Sequence, residues 1–376
     1  MCISKKMCNF AWKNDMHVSK MMNKQKYPIG VQSFEVLRER GYVYVDKTDL
    51  MYELAQQHIC FLCRPRRFGK SLLLSTLEAY FRGKQQLFDG LKIMLLENEW
   101  QQYPVFHLDF NGVNFTDSEG LDNKLDDALA TWEREYHIID KPKNIGDRFV
   151  RVLQQAYVQT GKRCVVLIDE YDKPLLDVLG EKQELTNRNV LKGFYSAFKA
   201  ADQYLRFVLL TGVTKFSQVS VFSGFNQPLD ISMNPKYETI CGITDQELSD
   251  YFADSMDELS VQYGLSNDDM EHLLKQRYDG YHFSPACTDV YNPFSLLNVF
   301  VSGELSDYLF ASGTPMYLIR LLENREVDLS VLLSRAYEAS YFIDYRATVA
   351  DPLAMLYQSG YLTIKSVERQ VDGENL

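Results

Sequence analysis

The chain has 376 residues, 46% of them hydrophobic and 24% charged, and a net charge of −11, the composition of an ordinary globular protein of one large or two smaller domains. That acidity excludes a surface coated for nucleic acid, though not a local basic patch, and no stretch reaches the roughly 20 continuous apolar residues of a membrane helix. Seven scattered cysteines, an odd number, exclude a disulfide framework and fit a reducing cytoplasm, the expected location.

The opening, MCISKKMCNFAWKNDMHVSKMMNKQKYPIG, is basic and lacks an apolar signal core. Residues 1–26 are expected to be a disordered extension or to precede the true start, for which Met21 and Met22 are candidates. Apolar runs then alternate with amphipathic helical ones, the pattern of an α/β domain with a parallel sheet. Strands are predicted over 58–63, 104–110, 163–169 and 205–211, with a fifth somewhere in 229–243. Helices are predicted near 70–82, 121–137, 146–160 and 184–201, long enough for crossover connections. The near-continuous apolar VVLI and FVLL predict strands covered on both faces. Cys60 and Cys63 share the strand HICFLC, where positions three apart face opposite ways, so they read as separate buried thiols.

Between the first strand and its helix lies Arg64-Pro-Arg-Arg-Phe-Gly-Lys-Ser71. A phosphate-binding loop has the pattern G-x-x-x-x-G-K-[S/T] at that place. Gly69 lets backbone amides approach phosphate, Lys70 reaches the β and γ phosphates, and Ser71 ligates magnesium. Arg64 stands where the first glycine is expected, so the entry to the loop must differ. About a hundred residues on, VVLIDEYD (165–172) is an apolar strand ending in acids: Asp169 suits the magnesium site and Glu170 the activation of the attacking water. The strand RFVLLTGVTKFS ends in the candidate γ-phosphate sensors Thr211 and Thr214, with Lys215 close by. The candidate site is therefore Arg64, Pro65, Arg66, Arg67, Phe68, Gly69, Lys70, Ser71 and Leu72 for the nucleotide, Ser71 and Asp169 for Mg2+, and Lys70, Glu170, Thr211 and Thr214 for catalysis.

From residue 244 the texture becomes helical. Thr244 and Glu247 form a capping-box pattern opening TDQELSDYFADSM, and helical segments follow around 267–277, 293–301 and 315–323, broken by YDGYHFSPA. The last stretch, PLAMLYQSGYLTIKSVERQVDGENL, reads as a helix, then a strand entering a hairpin turn at Asp372-Gly373, with the second strand lacking. The domains are accordingly expected at 27–243 and 244–376, the latter cut short at its end.

These blocks resemble the AAA-ATPase-like family of bacterial P-loop proteins, whose longer members carry a C-terminal PD-(D/E)XK nuclease-like domain. The resemblance runs from about Tyr27 to the end, through YPIGVQSFEVLRERGYVYVDKTDLMYEL, RPRRFGKSLLLSTLEAYFRGK, VVLIDEYDKPLL, LRFVLLTGVTKFS, YETICGITDQEL, RYDGYHF, YNPFSLLN and LAMLYQSGYLTI. It implies a P-loop ATPase with an additional strand between the cradle and acid strands, then a helical lid with a winged-helix-like element. Arg64 is that family's own version of the loop. The resemblance also implies an ATP hydrolase using Mg2+ and ATP, tied to nucleic-acid-directed or defence-related work, with DNA or a nuclease-like module as partners and no membrane. The alternative is a nucleotide-dependent switch with little turnover; a DNA-binding module is the third reading, opposed by the acidic charge. A nuclease site is not expected, because the chain's sole acid-x-lysine, Asp122-Asn123-Lys124, lies in a polar helical stretch.

Overall fold

The computed structural model describes residues 25–215, 228–278, 280–311, 317–319, 336–338, 340–343 and 352–367. Five parallel strands form one sheet: β1 (Ile59–Cys63), β2 (Val105–Asp109), β3 (Cys164–Asp169), β4 (Leu205–Gly212) and β5 (Leu229–Asp230), in the order β2-β3-β4-β1-β5. The helices that connect and cover them are α1 (Phe34–Glu39), α2 (Thr48–Ala55), α3 (Lys70–Phe81), α4 (Gly120–Glu135), α5 (Ile145–Thr160), α6 (Lys173–Leu176) and α7 (Lys182–Ala200). This is an α/β fold of the kind P-loop nucleotide-binding proteins use. Strand β4 lies between β1 and β3, so an additional strand does separate the loop strand from the acid strand.

The sheet is covered on both faces because its central strands carry near-continuous apolar runs; all six residues of β3 are buried. Alternate residues feed two cores. Phe61, Cys63, Val166, Ile168 and Val208 pack with α4, α5 and α7, whereas Cys60, Leu62, Val165, Leu167 and Phe207 pack with α1 to α3. Each fully buried Phe or Leu here contributes about 1.5–3 kcal/mol. Cys60 and Cys63 therefore sit in opposite cores as free thiols, and burial pushes Cys60 up to about 12.

A third apolar cluster belongs to α8 (Asp245–Tyr263), α9 (Asn267–Tyr278) and α10 (Pro293–Ser302), where Leu248, Phe252, Met270, Leu274, Leu296 and Phe300 meet. Tyr27 joins it, and Val43 and Val45 pack against it, so the segment before α2 is shared between the sheet and these helices. The capping box forms: Thr244 accepts from the Glu247 N–H, and Glu247 accepts from the Thr244 N–H at 2.9 Å. Near the end, α11 (Leu353–Gln358) packs on the sheet domain through Ala354, Met355 and Leu356. No helix among the described residues is long and apolar enough to cross a membrane.

The fifth strand lies within 229–243 as expected and is two residues long, because the Asp230 side chain accepts from the Ser232 N–H and Pro235 then opens a 3-10 turn. One expectation needs correcting. Residues 361–367 form no strand: the N–H groups of Tyr361 and Leu362 fold back to the Leu356 carbonyl, and Thr363 accepts from the His282 N–H. That leaves the winged-helix-like element without its expected strand among the described residues. The turn at Asp372-Gly373, residues 1–24 and most of the helix expected over 315–323 lie outside the described residues.

Candidate functional site

Strand β1 delivers the chain into the 64–69 loop and α3 leaves it, so the loop sits at the carboxyl edge of a parallel sheet, where α/β proteins bind ligands. Arg67 and Gly69 both have positive φ, at 68° and 93°. Among the described residues, nothing accepts a hydrogen bond from the backbone N–H groups of Arg67, Gly69, Lys70 and Ser71. Unpaired amides at the start of a twelve-residue helix, curled by left-handed residues, are an anion cradle.

Lys70 is buried. Its ammonium donates to the carbonyls of Arg64 (3.1 Å) and Pro65 (3.2 Å) and pairs with Glu170 at 3.4 Å. Burial disfavours its charge, but the carboxylates of Glu170, Asp169 and Asp172 outweigh that and hold its pKa above that of a free lysine. Asp169, at the end of β3, is buried; its Oδ1 accepts from the Thr211 hydroxyl (2.6 Å) and the Glu170 N–H (3.0 Å). Its Oδ2 and the Ser71 hydroxyl make no hydrogen bond among the described residues. One hydroxyl and one carboxylate are hard oxygen donors, few in number. That donor set fits magnesium, which keeps waters and phosphate oxygens in its shell.

Thus Lys70, Ser71, Asp169, Glu170 and Thr211 are brought to one edge of the sheet. Thr214 is placed differently: it is fully buried and its hydroxyl donates to Asp172 at 2.8 Å. Arg64 is also placed differently. Its guanidinium donates to the carbonyls of Cys63, Ser232, Tyr237 and Glu238 and stacks on Phe283, 4.1 Å from the ring centroid. That side chain braces the loop from within the protein, and only its backbone belongs to the cradle. Pro65 is buried against Gly360, while Arg66 and Arg67 are exposed and lie over the rings of Tyr317 and Phe294. Arg188 pairs with Glu184 within α7, and Arg206 reaches Gln56, so neither joins the loop. Asp122 and Asn123 are exposed on α4.

Sequence reasoning missed three features. Asp172 is fully buried, and burial, with Glu170's negative charge adding to it, pushes its carboxyl up to about 7. Its neighbours Val213 and Thr214 are about forty positions away in sequence, so no spacing rule announces it. The second is Gln358, at the end of α11, whose side chain accepts from the Lys215 N–H at 2.9 Å. The third is an apolar cavity of about 110 Å³ beside Gly69, between Phe68 and Leu72 on one side and Val45, Ile240, Gly242 and Phe252 on the other.

Comparison with known proteins gives the family. Residues 28–222 match the family described as predicted AAA-ATPase. A protein of Azotobacter chroococcum mcd 1, described as an uncharacterized protein in the vnfD 5' region, is 36% identical over 354 residues, which is 93% of this chain. The chain spans 66% of that relative's length.

Proposed function

Since the chain belongs to the predicted AAA-ATPase family, we propose that it binds ATP with Mg2+ on the 64–71 loop and hydrolyses it. The observation that carries this reading is the meeting of Lys70 with Glu170 at 3.4 Å, beside a helix start whose amides are unpaired. In this reading the Lys70 ammonium leaves the carbonyls of Arg64 and Pro65 for phosphate oxygens, a charge-assisted exchange. Ser71 and Asp169 hold the metal, and Thr211 keeps the Asp169 carboxylate oriented. Magnesium, when bound, neutralises charge on the phosphate oxygens. Glu170, released from Lys70 as that ammonium turns to phosphate, takes a proton from the attacking water. The apolar cavity beside Gly69 receives the base, with Phe68 and Leu72 forming one wall.

The test is steady-state phosphate release with ATP and with GTP, with Mg2+ and with EDTA, and with and without DNA. Turnover of ATP that vanishes in EDTA is expected; no release above the blank in any condition would sink hydrolysis. A nucleotide-dependent switch uses the same loop, and the observation in its favour is the ion pair that occupies Glu170. Coupling to nucleic-acid-directed or defence-related activity rests on the family resemblance, and the DNA arm of the assay addresses it.

A further inference from the structure

The turn after β3 carries a third carboxylate that the phosphate loop and metal chemistry leave unused. Asp172 Oδ2 accepts from the N–H groups of Val213 (3.0 Å) and Thr214 (2.6 Å) and from the Thr214 hydroxyl (2.8 Å), while Oδ1 has no hydrogen-bond partner among the described residues. The same turn is tied twice more to β4 and the residues just after it, by the Tyr171 N–H to the Thr211 carbonyl (2.9 Å) and the Tyr171 hydroxyl to the Thr214 carbonyl (2.7 Å). The two segments approach as closely as glycine allows. A Cβ at Gly212 would lie 2.6 Å from both Asp172 Oδ1 and the Tyr171 ring.

Glu170 is enclosed by these ties. It has φ of 52°, an uncommon conformation for a residue with a side chain. Its N–H bonds Asp169 and its carbonyl accepts from the Lys173 N–H at 3.0 Å. A backbone in that region persists only where its surroundings over-determine it. The bonds on either side of Glu170 supply that determination, and three of them converge on one oxygen of Asp172.

We propose that Asp172 is a positioning residue for ATP hydrolysis, latching the end of β4 to the Glu170 turn so that the Glu170 carboxylate is held toward Lys70. The proposal rests on the ATPase reading above. A carboxylate that served folding alone would lower stability when removed, without separating kcat from KM.

The experiment compares the full chain with Asp172→Ala, Asp172→Asn and Tyr171→Phe, by thermal unfolding, ATP affinity and steady-state kinetics on folded protein. Asp172→Ala loses the acceptor, and its kcat is expected to fall about tenfold or more with KM within about twofold. Asp172→Asn retains an acceptor oxygen and recovers kcat to within about threefold of the parent, and Tyr171→Phe, which loses one tie, falls between. An Asp172→Ala protein that folds and turns over at the parental rate overturns the proposal. Should that variant not fold, Tyr171→Phe decides, and an unchanged kcat there overturns it equally. A parent that binds and hydrolyses no ATP overturns the ATPase reading and this proposal together. A parent that hydrolyses ATP beside variants of unchanged kcat overturns the positioning role alone.

Discussion

Glu170 shows what single residues contribute, because its side chain is paired with Lys70 while its backbone is held at a φ of 52°. Glu170→Gln keeps the size but cannot take a proton, so ATP affinity should stay within about twofold while turnover falls about 100-fold or more. Single-turnover phosphate release measures this, and parental turnover would remove Glu170 from catalysis in favour of the switch reading. Asp172 predicts a pH dependence. Its folded-state carboxyl lies above the unfolded value of about 3.9, so across that window the folded state holds a proton the unfolded state has lost. Its contribution to stability therefore declines as pH rises from about 4 to about 7. Urea unfolding at pH 5 and pH 8 should show Asp172→Asn losing less stability over that interval than the parent; equal losses would contradict it. Lys70, Asp169 and Glu170 were legible in the sequence because strand–loop–helix spacing dictates their places. Asp172 and the Arg64 side chain were not, since their roles depend on partners such as Thr214 and Ser232 far along the chain.

At the scale of elements, the strands were legible because a sheet covered on both faces demands unbroken apolar runs, which β1, β3 and β4 supply. The short extent of β5 within 229–243 and the irregular 361–367 were not, because an apolar run does not reveal whether its backbone pairs with a strand or a loop. The least foreseeable contact is that of the chain following α11 with the 64–69 loop. Gly360 has φ of 82°, and a Cβ there would lie 2.9 Å from the Pro65 Cβ. Gly360→Val therefore meets both a backbone penalty and a clash, and should cost about 2 kcal/mol or more. The measurements are the denaturation midpoint and ATP affinity, both expected to fall; a variant as stable as the parent would show that this contact is not tight. Because Gly360 touches Pro65 and Gln358 bonds Lys215, α11 is joined to both the loop and the end of β4.

On the scale of the whole molecule, two cores flank the sheet and a third lies within α8, α9 and α10, with Val45 and Phe252 from the third region lining the cavity beside Gly69. Tyr27, which precedes the division expected near residue 243, packs with the later helices. A ligand in the cavity would therefore touch both the sheet and the later helices, and the central claim of the proposed function is nucleotide binding there. Its direct test is an equilibrium titration of ATP, with Mg2+, onto the folded parent and onto folded Lys70→Ala. Loss of the charge-assisted contact should cost about 2–3 kcal/mol, weakening affinity about 30- to 150-fold. Equal affinity in the two proteins, or no binding to the parent, would contradict a phosphate cradle at the 64–71 loop.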